Sequence, residues 1–471
     1  MFGNWLVKTI KYTIIIHSKD TSLRFFLFVM TLGAMVYLGN FIIRFGTESL
    51  QMDFAAFYTA GEAISSGLSP YVNHVTLNPP IWDGVDVFQH SRFLYPPLAA
   101  YFFRLIAFLP YAIAKYVWMM LNTVSILISE FVIIDMINPK KRLEWLLGLT
   151  VFISTSYPLL TLLERGQIDG ITLLLVTLSI RLMLGGVGSQ ADLLAGFLWA
   201  FATLLKLHCV YIVPFLLIRG KLKVFVGYVL SIIGIIFLSL IVNPNLSVDY
   251  IQRELPRIAR FGEGGDERMK LPSNVIQDRL VSLPQGYTIK DGIVYRTESM
   301  KFISNASLAR SMAAILWRIG FNIPASILSV LTFIVLFFGF YIWQFRRGIP
   351  NGFKAIHELI YWEIVLIIIL LSAPLTWAMN IVWIFPFASS LIYGCAVLRG
   401  RIRILILNLG ISGLFIAWAP DSLVMLLFGS HFVQLANAKY LFSQTALLLS
   451  LVLLLEGIRR SQPYRFKSIG S

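Results

Sequence analysis

Residues 222–242 have the sequence LKVFVGYVLSIIGIIFLSLIV, in which Lys223 is followed by an uncharged run that ends at Val242. A helix crosses the hydrocarbon core of a bilayer with about 20 apolar residues, so this stretch predicts a membrane span. The whole chain has the same character, with 57% hydrophobic and 13% charged residues among 471 and a mean hydropathy of +0.76. Soluble proteins carry about 25% charged residues. The composition therefore predicts an integral membrane protein, and we expect residues 1–471 to form one membrane domain.

Short basic clusters separate the apolar segments, and basic loops mark the cytoplasmic side of a membrane protein. This pattern explains the net charge of +15 better than nucleic-acid binding does, because the cations do not line one amphipathic face with interleaved aromatic residues. We predict an all-α polytopic membrane protein with about twelve transmembrane helices and short interfacial helices in its outer loops. The predicted spans are 25–45, 111–137, 145–163, 168–184, 192–206, 208–218, 222–242, 323–345, 358–376, 380–398, 403–419 and 440–457.

Two predicted outer loops are long enough to hold a water-exposed site, residues 46–95 and residues 243–322. Residues 95–110 are apolar but begin with two prolines and contain Arg104, which predicts a shallow or re-entrant helix on the outer side. Residues 307–320 have apolar residues at helical spacing with Arg310 and Arg318, which predicts a helix lying at the interface.

Several other classes of site lack support in the sequence. Cys209 and Cys395 lie in apolar stretches without metal-ligand spacing, so neither a disulfide nor a zinc site is predicted. The acidic residues of the first outer loop are irregularly spaced, and no divalent metal or other cofactor is implied. No internal repeat supports an inverted-repeat transporter.

The first outer loop opens with Met52-Asp53-Phe54-Ala55-Ala56-Phe57-Tyr58-Thr59-Ala60-Gly61-Glu62-Ala63, followed by Gly67-Leu68-Ser69-Pro70-Tyr71. Asp53 is thus a carboxylate at the membrane surface in front of an aromatic helix of small residues. One interpretation is that it caps a short interfacial helix, since Asp is common at that position. The other is that it is catalytic.

This stretch resembles the signature of glycosyltransferase family 87, within the GT-C group of enzymes that use polyprenyl-phosphate sugars. The resemblance covers residues 50–380 in order, and its more specific parts are the aspartate and the Tyr-Pro-Pro run. Further along the chain it runs through Phe93-Leu94-Tyr95-Pro96-Pro97-Leu98, Leu109-Pro110, Trp118 to Asn122, Arg165-Gly166-Gln167-Ile168-Asp169, Ala195-Gly196, Leu205-Lys206-Leu207, Ser273-Asn274 to Arg279 and Ser372-Ala373-Pro374-Leu375-Thr376-Trp377.

The resemblance implies a GT-C fold and Asp53 as the general base of an inverting transfer, in which a β-linked donor gives an α-linked product. General-base catalysis contributes about 10²- to 10⁴-fold. The phosphate leaving group gains from nearby positive charge, so cations should outnumber acids around it. Two departures limit the comparison. His208-Cys209 follow the lysine where the family often has proline, and Ala378-Met379-Asn380 stand where it often has histidine, so a histidine role there cannot be transferred.

Five cationic residues are candidates for binding the donor phosphate. Lys206 is the first, because an ionisable group in an apolar span is costly and usually functional; the alternative is that its amine snorkels to the interface. Arg165 at an outer turn is equally well explained as an interfacial anchor. Arg268, Lys270 and Arg279 lie in the second outer loop, where a mixed-charge segment is more often only solvated.

A second set of residues is predicted to bind the sugar or the acceptor: Tyr58, Tyr95, Gln167, Asp169, Trp377 and His208. The aromatic residues have an alternative role as interfacial anchors, and Gln167 and Asp169 have one in helix capping. His74 and His90 could assist proton transfer or be polar surface.

The sequence therefore predicts a monomer in the cytoplasmic membrane that transfers a sugar, mannose first among hexoses, from a polyprenyl phosphate to a lipid-linked or glycan acceptor. Its active site would face the periplasm or exterior, its partners would be the bilayer, donor and acceptor, and no nucleic acid is implied. One alternative is a secondary transporter or lipid flippase, which predicts ionisable residues buried in mid-span, whereas the ionisable residues of this sequence are expected to gather at outer span ends. Another is an O-antigen polymerase or ligase with a diphosphate donor, which favours a large late outer loop with paired arginines.

Overall fold

The computed structural model describes residues 2–48, 51–72, 91–186, 188–259, 267–270, 287–296, 306–321, 323–345, 354–398, 400–429 and 433–460. Helices dominate these residues. The first half of the chain contains α1 (Phe2–Glu48), α2 (Met52–Ser65), α3 (Pro97–Ala107), α4 (Tyr111–Ile137), α5 (Arg142–Ser154), α6 (Tyr157–Arg165), α7 (Asp169–Gly185), α8 (Ser189–Leu205), a 3₁₀ helix (Leu207–Tyr211), α9 (Ile212–Ile218) and α10 (Leu222–Val242).

The second half begins with the short helices that follow α10 and ends with a long helix. In order, it contains α11 (Pro244–Asp249), a π-helical turn (Tyr250–Glu254), α12 (Leu255–Ala259), β1 (Glu267–Lys270), β2 (Tyr287–Lys290), β3 (Ile293–Arg296), α13 (Leu308–Arg318), α14 (Ala325–Phe345), α15 (Lys354–Ser372), a 3₁₀ helix (Ala378–Phe387), α16 (Ala388–Val397), α17 (Arg401–Trp418), α18 (Asp421–Phe428) and α19 (Val433–Arg460).

Among the described residues, seven helices are long and apolar enough to cross a membrane, or eight if one bent pair is counted. Each of them overlaps a span predicted from the sequence, so the all-α polytopic fold class is confirmed, whereas the number of about twelve spans is not. The predicted span 145–163 is broken: α5 and α6 meet at a bend of 57°. Ser156 starts the new helix by accepting a hydrogen bond from the Leu159 amide, and Pro158 occupies its first turn, where proline is tolerated.

A small antiparallel sheet interrupts the second predicted outer loop, in the order β1-β3-β2. Asp291 and Gly292 join β2 to β3, both at positive φ. This is the Asp-Gly turn that suits a tight hairpin. The sequence analysis did not predict these strands, and they add a small β element to an otherwise helical protein.

The helix α3 has 11 residues, which gives about 16 Å of helix against a hydrocarbon core of about 30 Å. It is therefore too short to span, as the prediction of a shallow helix requires. α3 packs closely on α2, because a Cβ at Gly61 would lie 2.7 Å from the carbonyl oxygen of Phe103. Together they bury an aromatic cluster in which Phe57 stacks on Phe103 and both rings meet Trp118.

Two expectations about charged residues are wrong. Arg310 on α13 is 1% exposed, so this helix does not present both of its arginines to an interface. Glu130 on α4 and Glu363 on α15 are buried within membrane helices, so ionisable residues do not gather only at outer span ends. Each carboxyl accepts a hydrogen bond from a neighbouring hydroxyl, Glu130 from Thr150 and Glu363 from Ser390.

Candidate active site

Asp53 is the second residue of α2 and is 5% exposed. Its Oδ2 accepts a hydrogen bond from Arg165 Nε at 2.7 Å, and its Oδ1 accepts one from Arg165 Nη2 at 3.1 Å. Ser91 Oγ also donates to Oδ1. The helix-cap interpretation is wrong, because the N-cap position belongs to Gln51 and the Asp53 carboxylate is held by side chains.

The end of α6 brings Arg165 to Asp53. The helix terminates at Gly166, which adopts φ +69° and leaves no room for a side chain, since a Cβ there would lie 2.5 Å from Phe54 Cβ on α2. Trp118 Nε1 fixes the turn by donating to the Gly166 carbonyl at 2.8 Å. Glycine thus supplies both the left-handed conformation and the close approach that the ion pair needs.

Lys206 is the centre of a second polar cluster, at the break between α8 and the following 3₁₀ helix. Its Nζ lies 3.1 Å from Asp169 Oδ2 and donates to Gln167 Oε1 at 3.1 Å. Its side chain is 14% exposed. The lysine therefore does not snorkel into water, because its charge is matched inside the protein.

Asn380 completes this cluster from the second half of the chain. Its Nδ2 donates to Asp169 Oδ1 at 2.7 Å, while its Oδ1 accepts from the Trp377 amide at 2.7 Å. Asp169 is therefore held by Lys206 on one oxygen and by Asn380 on the other. Because the side chain of Asp169 is 0% exposed, it offers no surface to a sugar hydroxyl, and the prediction that it binds sugar does not fit this arrangement.

Tyr95 links the two clusters. Burial raises the pKa of its hydroxyl to about 12, and the charges of Lys206, Asp169 and Asp53 all act on it. The charge of Asp53 also acts on the Lys206 amine. The four charged side chains Asp53, Arg165, Lys206 and Asp169 therefore form one site with as many acids as cations, so the expected excess of cations is absent among the described side chains.

The other residues predicted to bind the phosphate, the sugar or the acceptor lie in different environments. Tyr58 is 4% exposed and donates to the Leu109 carbonyl at 2.9 Å inside the aromatic cluster, so it is not a sugar-stacking face. The ring of Trp377 packs against the apolar core. His208 lies 5.5 Å from the Trp383 ring, and its Nε2 has no hydrogen-bond partner among the described residues. Three cations and two histidines lie where side chains are not described: Arg268 and Lys270 in β1, and Arg279, His74 and His90 outside the described residues.

The sequence analysis did not select Ser91 or Asn380 as site residues. Ser91 lies within the first predicted outer loop but carries no spacing signal. Asn380 was visible only as a departure from the family pattern, and its contact with Asp169 joins residues 211 positions apart. Within the part of the chain that the structure describes, no group of three or more metal-ligating side chains could hold a metal ion.

Comparison with known proteins identifies one family. Residues 93–283 match the model of Glycosyltransferase family 87, about two fifths of the chain. Arg165, Asp169 and Lys206 lie inside the matched region, whereas Asp53 and Asn380 lie outside it. No curated protein matches the chain.

Proposed function

Because the chain belongs to glycosyltransferase family 87 and is a membrane glycosyltransferase, we propose that its donor is a polyprenyl-phosphate sugar. The sugar is a hexose, with mannose as the first candidate, and the acceptor is a lipid-linked or glycan hydroxyl at the outer face. The site lies at the exterior side of the cytoplasmic membrane, and the enzyme works as a monomer without a required metal. The observation that carries this proposal is the convergence of Asp53, Arg165 and Lys206 in one buried polar site.

The reaction needs a base for the acceptor and positive charge for the leaving phosphate. Asp53 takes the proton of the acceptor hydroxyl as that oxygen attacks the anomeric carbon. The phosphate leaves as a monoester, and its growing negative charge is stabilised by a cation placed in advance. Attack from the face opposite the phosphate inverts the anomeric carbon.

Arg165 connects donor binding to the base. In the present arrangement, Asp53 Oδ1 accepts two hydrogen bonds and Oδ2 accepts one, out of about four that a carboxylate can accept. A donor phosphate that attracts the guanidinium of Arg165, whose side chain is 34% exposed, frees the carboxylate for the acceptor. Arg165 therefore binds the donor phosphate, which is the role predicted from the sequence, after its ion pair with Asp53 has opened.

Lys206 is the second phosphate contact, and Asp169 and Asn380 are positioning residues behind it. A lysine has a flexible stem and three donors, so an ammonium needs neighbours to fix its direction. Asp169 and Gln167 hold the Lys206 amine, and Asn380 fixes Asp169. Tyr95 and His208 border the same cluster and contact the sugar or the acceptor.

The experiment is transfer of radiolabelled mannose from polyprenyl-phosphate mannose to candidate lipid acceptors by the purified protein. Asp53→Asn keeps the shape and should lower kcat by about 10²- to 10⁴-fold. Asp192→Asn, on the first turn of α8, is the matched control and should retain full activity. Transfer by Asp53→Asn at the rate of the unmodified protein would remove Asp53 from the mechanism.

Two further substrates distinguish the alternatives. An O-antigen polymerase or ligase would use a polyprenyl diphosphate and not the monophosphate. A transporter or flippase would move a lipid-linked sugar across proteoliposomes without forming a glycosidic bond, and Glu130 and Glu363, buried in mid-span, are the residues to test for that activity. Absence of transfer from every polyprenyl monophosphate would reject the proposed donor.

A further inference from the structure

A cavity of about 380 Å³ lies between α5, α16 and α17, away from the candidate active site. Its walls are apolar over most of their length, and they include Phe152 on α5, Ile392 on α16 and Phe415 on α17. Ile392 and Phe415 are partly exposed on the outside of the helix bundle, where the surroundings of a membrane protein are lipid. The cavity therefore opens sideways towards the acyl chains of the bilayer.

The length of the cavity matches one leaflet. Along α5 its lining runs from Lys141 to Phe152, which is about 16 Å of helix. Half of a hydrocarbon core of about 30 Å is about 15 Å. A chain that enters beside Lys141 would therefore end near the middle of the membrane.

One end of the cavity is charged. Lys141 and Glu144 line that end, and Glu144 is paired with Arg24 at 2.8 Å. Asp135, on the adjoining end of α4, is shared by Arg142 at 2.8 Å and Arg181 at 2.9 Å. Three arginines, Arg24, Arg142 and Arg181, are thus paired with these two carboxylates, and the exposed Lys140 and Lys141 lie beside them in the turn between α4 and α5. The excess positive charge suits an anionic headgroup.

The charged end lies far from Asp53. Trp118 on α4 contacts Gly166 beside the active site, whereas Asp135 on the same helix contacts the start of α5. The two positions are separated by about 26 Å of helix. A ligand in this cavity therefore belongs to the opposite leaflet from the one that meets the active site.

We propose that this cavity binds one acyl chain of an anionic phospholipid, with the headgroup at Lys140 and Lys141. Basic pockets between membrane helices recognise anionic headgroups, and each lysine near such a headgroup is worth about fivefold in binding. The ligand is a lipid of the leaflet opposite the active site, and its binding does not depend on the proposed donor.

Gly148 provides a way to fill the cavity without disturbing its walls. It lines the cavity, and a Cβ added there would meet no atom within 4 Å. Gly148→Leu therefore places a side chain in the space assigned to the acyl chain. Gly234→Leu on α10 is the matched control, because a Cβ there also meets nothing within 4 Å and Gly234 is not one of the residues that line the cavity.

The test is native mass spectrometry of the delipidated full-length protein with added phosphatidylglycerol or phosphatidylcholine of identical chains. The unmodified protein and Gly234→Leu should each retain one phosphatidylglycerol in preference to phosphatidylcholine. Gly148→Leu should lower retention of both lipids by about tenfold or more. Lys140→Gln with Lys141→Gln should abolish the headgroup preference and keep acyl-chain binding, because these exposed lysines lie at the charged end of the cavity and not along its apolar walls.

Three results would overturn the proposal. The first is retention by Gly148→Leu equal to that of the unmodified protein. The second is equal binding of the two phospholipids to the unmodified protein. The third is displacement of phosphatidylglycerol by polyprenyl phosphate, which would give the cavity to the donor.

Discussion

At the scale of single residues, the position of the Lys206 amine depends on a chain of contacts through Asp169 to Asn380. If Asn380 acts only through Lys206, replacing Asn380 should lower transfer when Lys206 is present and should have no further effect when Lys206 has been replaced. We expect Asn380→Ala and Lys206→Met each to lower transfer by about tenfold or more, and the double variant to be no worse than Lys206→Met. Residues of one hydrogen-bonded network show interaction energies of about 0.5–3 kcal/mol in such cycles.

The measurement is the donor KM and kcat of the four proteins in a double-mutant cycle. Asn380→Asp is the informative control, because a second carboxylate would face Asp169 and should be more harmful than alanine. Strictly additive losses would mean that Asn380 supports the fold independently of Lys206.

The contacts in this site explain what a sequence can and cannot predict about it. Asp53 was a candidate through the family resemblance, Lys206 as an ionisable group in an apolar span, and Arg165 as a cation at an outer turn. Their pairing was not predictable, because Asp53 and Arg165 are 112 residues apart and no local pattern records which carboxylate meets which cation. Tyr58 and Asp169 had the right residue types but lie in buried positions, which only the packing reveals.

At the scale of elements, helix positions followed from apolar length, whereas the break between α5 and α6 did not. Apolar content remains high across residues 142–165, so hydropathy does not register the turn at Ser156. The β2–β3 hairpin was not predicted from the sequence, because its strands are short and lie in a mixed-charge loop without an apolar run. Charge and length locate membrane helices, but capping residues and turns decide where they end.

The crossing of α4 and α7 depends on Gly170. A Cβ at this position would lie 2.6 Å from the Asn122 carbonyl oxygen, and the Gly170 amide donates to Asn122 Oδ1 at 3.1 Å. Gly170→Ala should therefore push α7 from α4 and displace the adjacent Asp169. Overpacking of this kind costs about 1–3 kcal/mol, which a lower midpoint of thermal unfolding in detergent would register together with a loss of transfer.

A matched glycine isolates the effect of packing from that of helix propensity. Gly39 lies in α1, and a Cβ there would meet nothing within 4 Å. Gly39→Ala should leave activity unchanged and raise stability slightly, since alanine favours a helix over glycine by about 1 kcal/mol. Equal behaviour of the two variants would show that the α4–α7 approach tolerates a methyl group.

At the scale of the whole molecule, sidedness follows from which helices cross. α1 ends at Glu48 and α4 begins at Tyr111, and the intervening α2 and α3 have 14 and 11 residues. Neither of these described helices is long enough to span about 30 Å, so we expect the end of α1, the candidate active site and the start of α4 to lie on the same side. If α4 crosses, Lys140 lies on the other side, and the rule that basic loops are cytoplasmic predicts that this side is the cytoplasm.

Cysteine labelling in intact cells tests this topology directly. Cys209 and Cys395 are both buried, so they should contribute little background. Ser66, exposed at the end of α2, and Lys140, exposed between α4 and α5, are suitable positions on the two sides. Ser66→Cys should react with a membrane-impermeant maleimide added outside, and Lys140→Cys should react only after permeabilisation. The reverse pattern would place Asp53 on the cytoplasmic side and would exclude a donor site at the exterior, because among the described residues between the two probes only α4 is long enough to span.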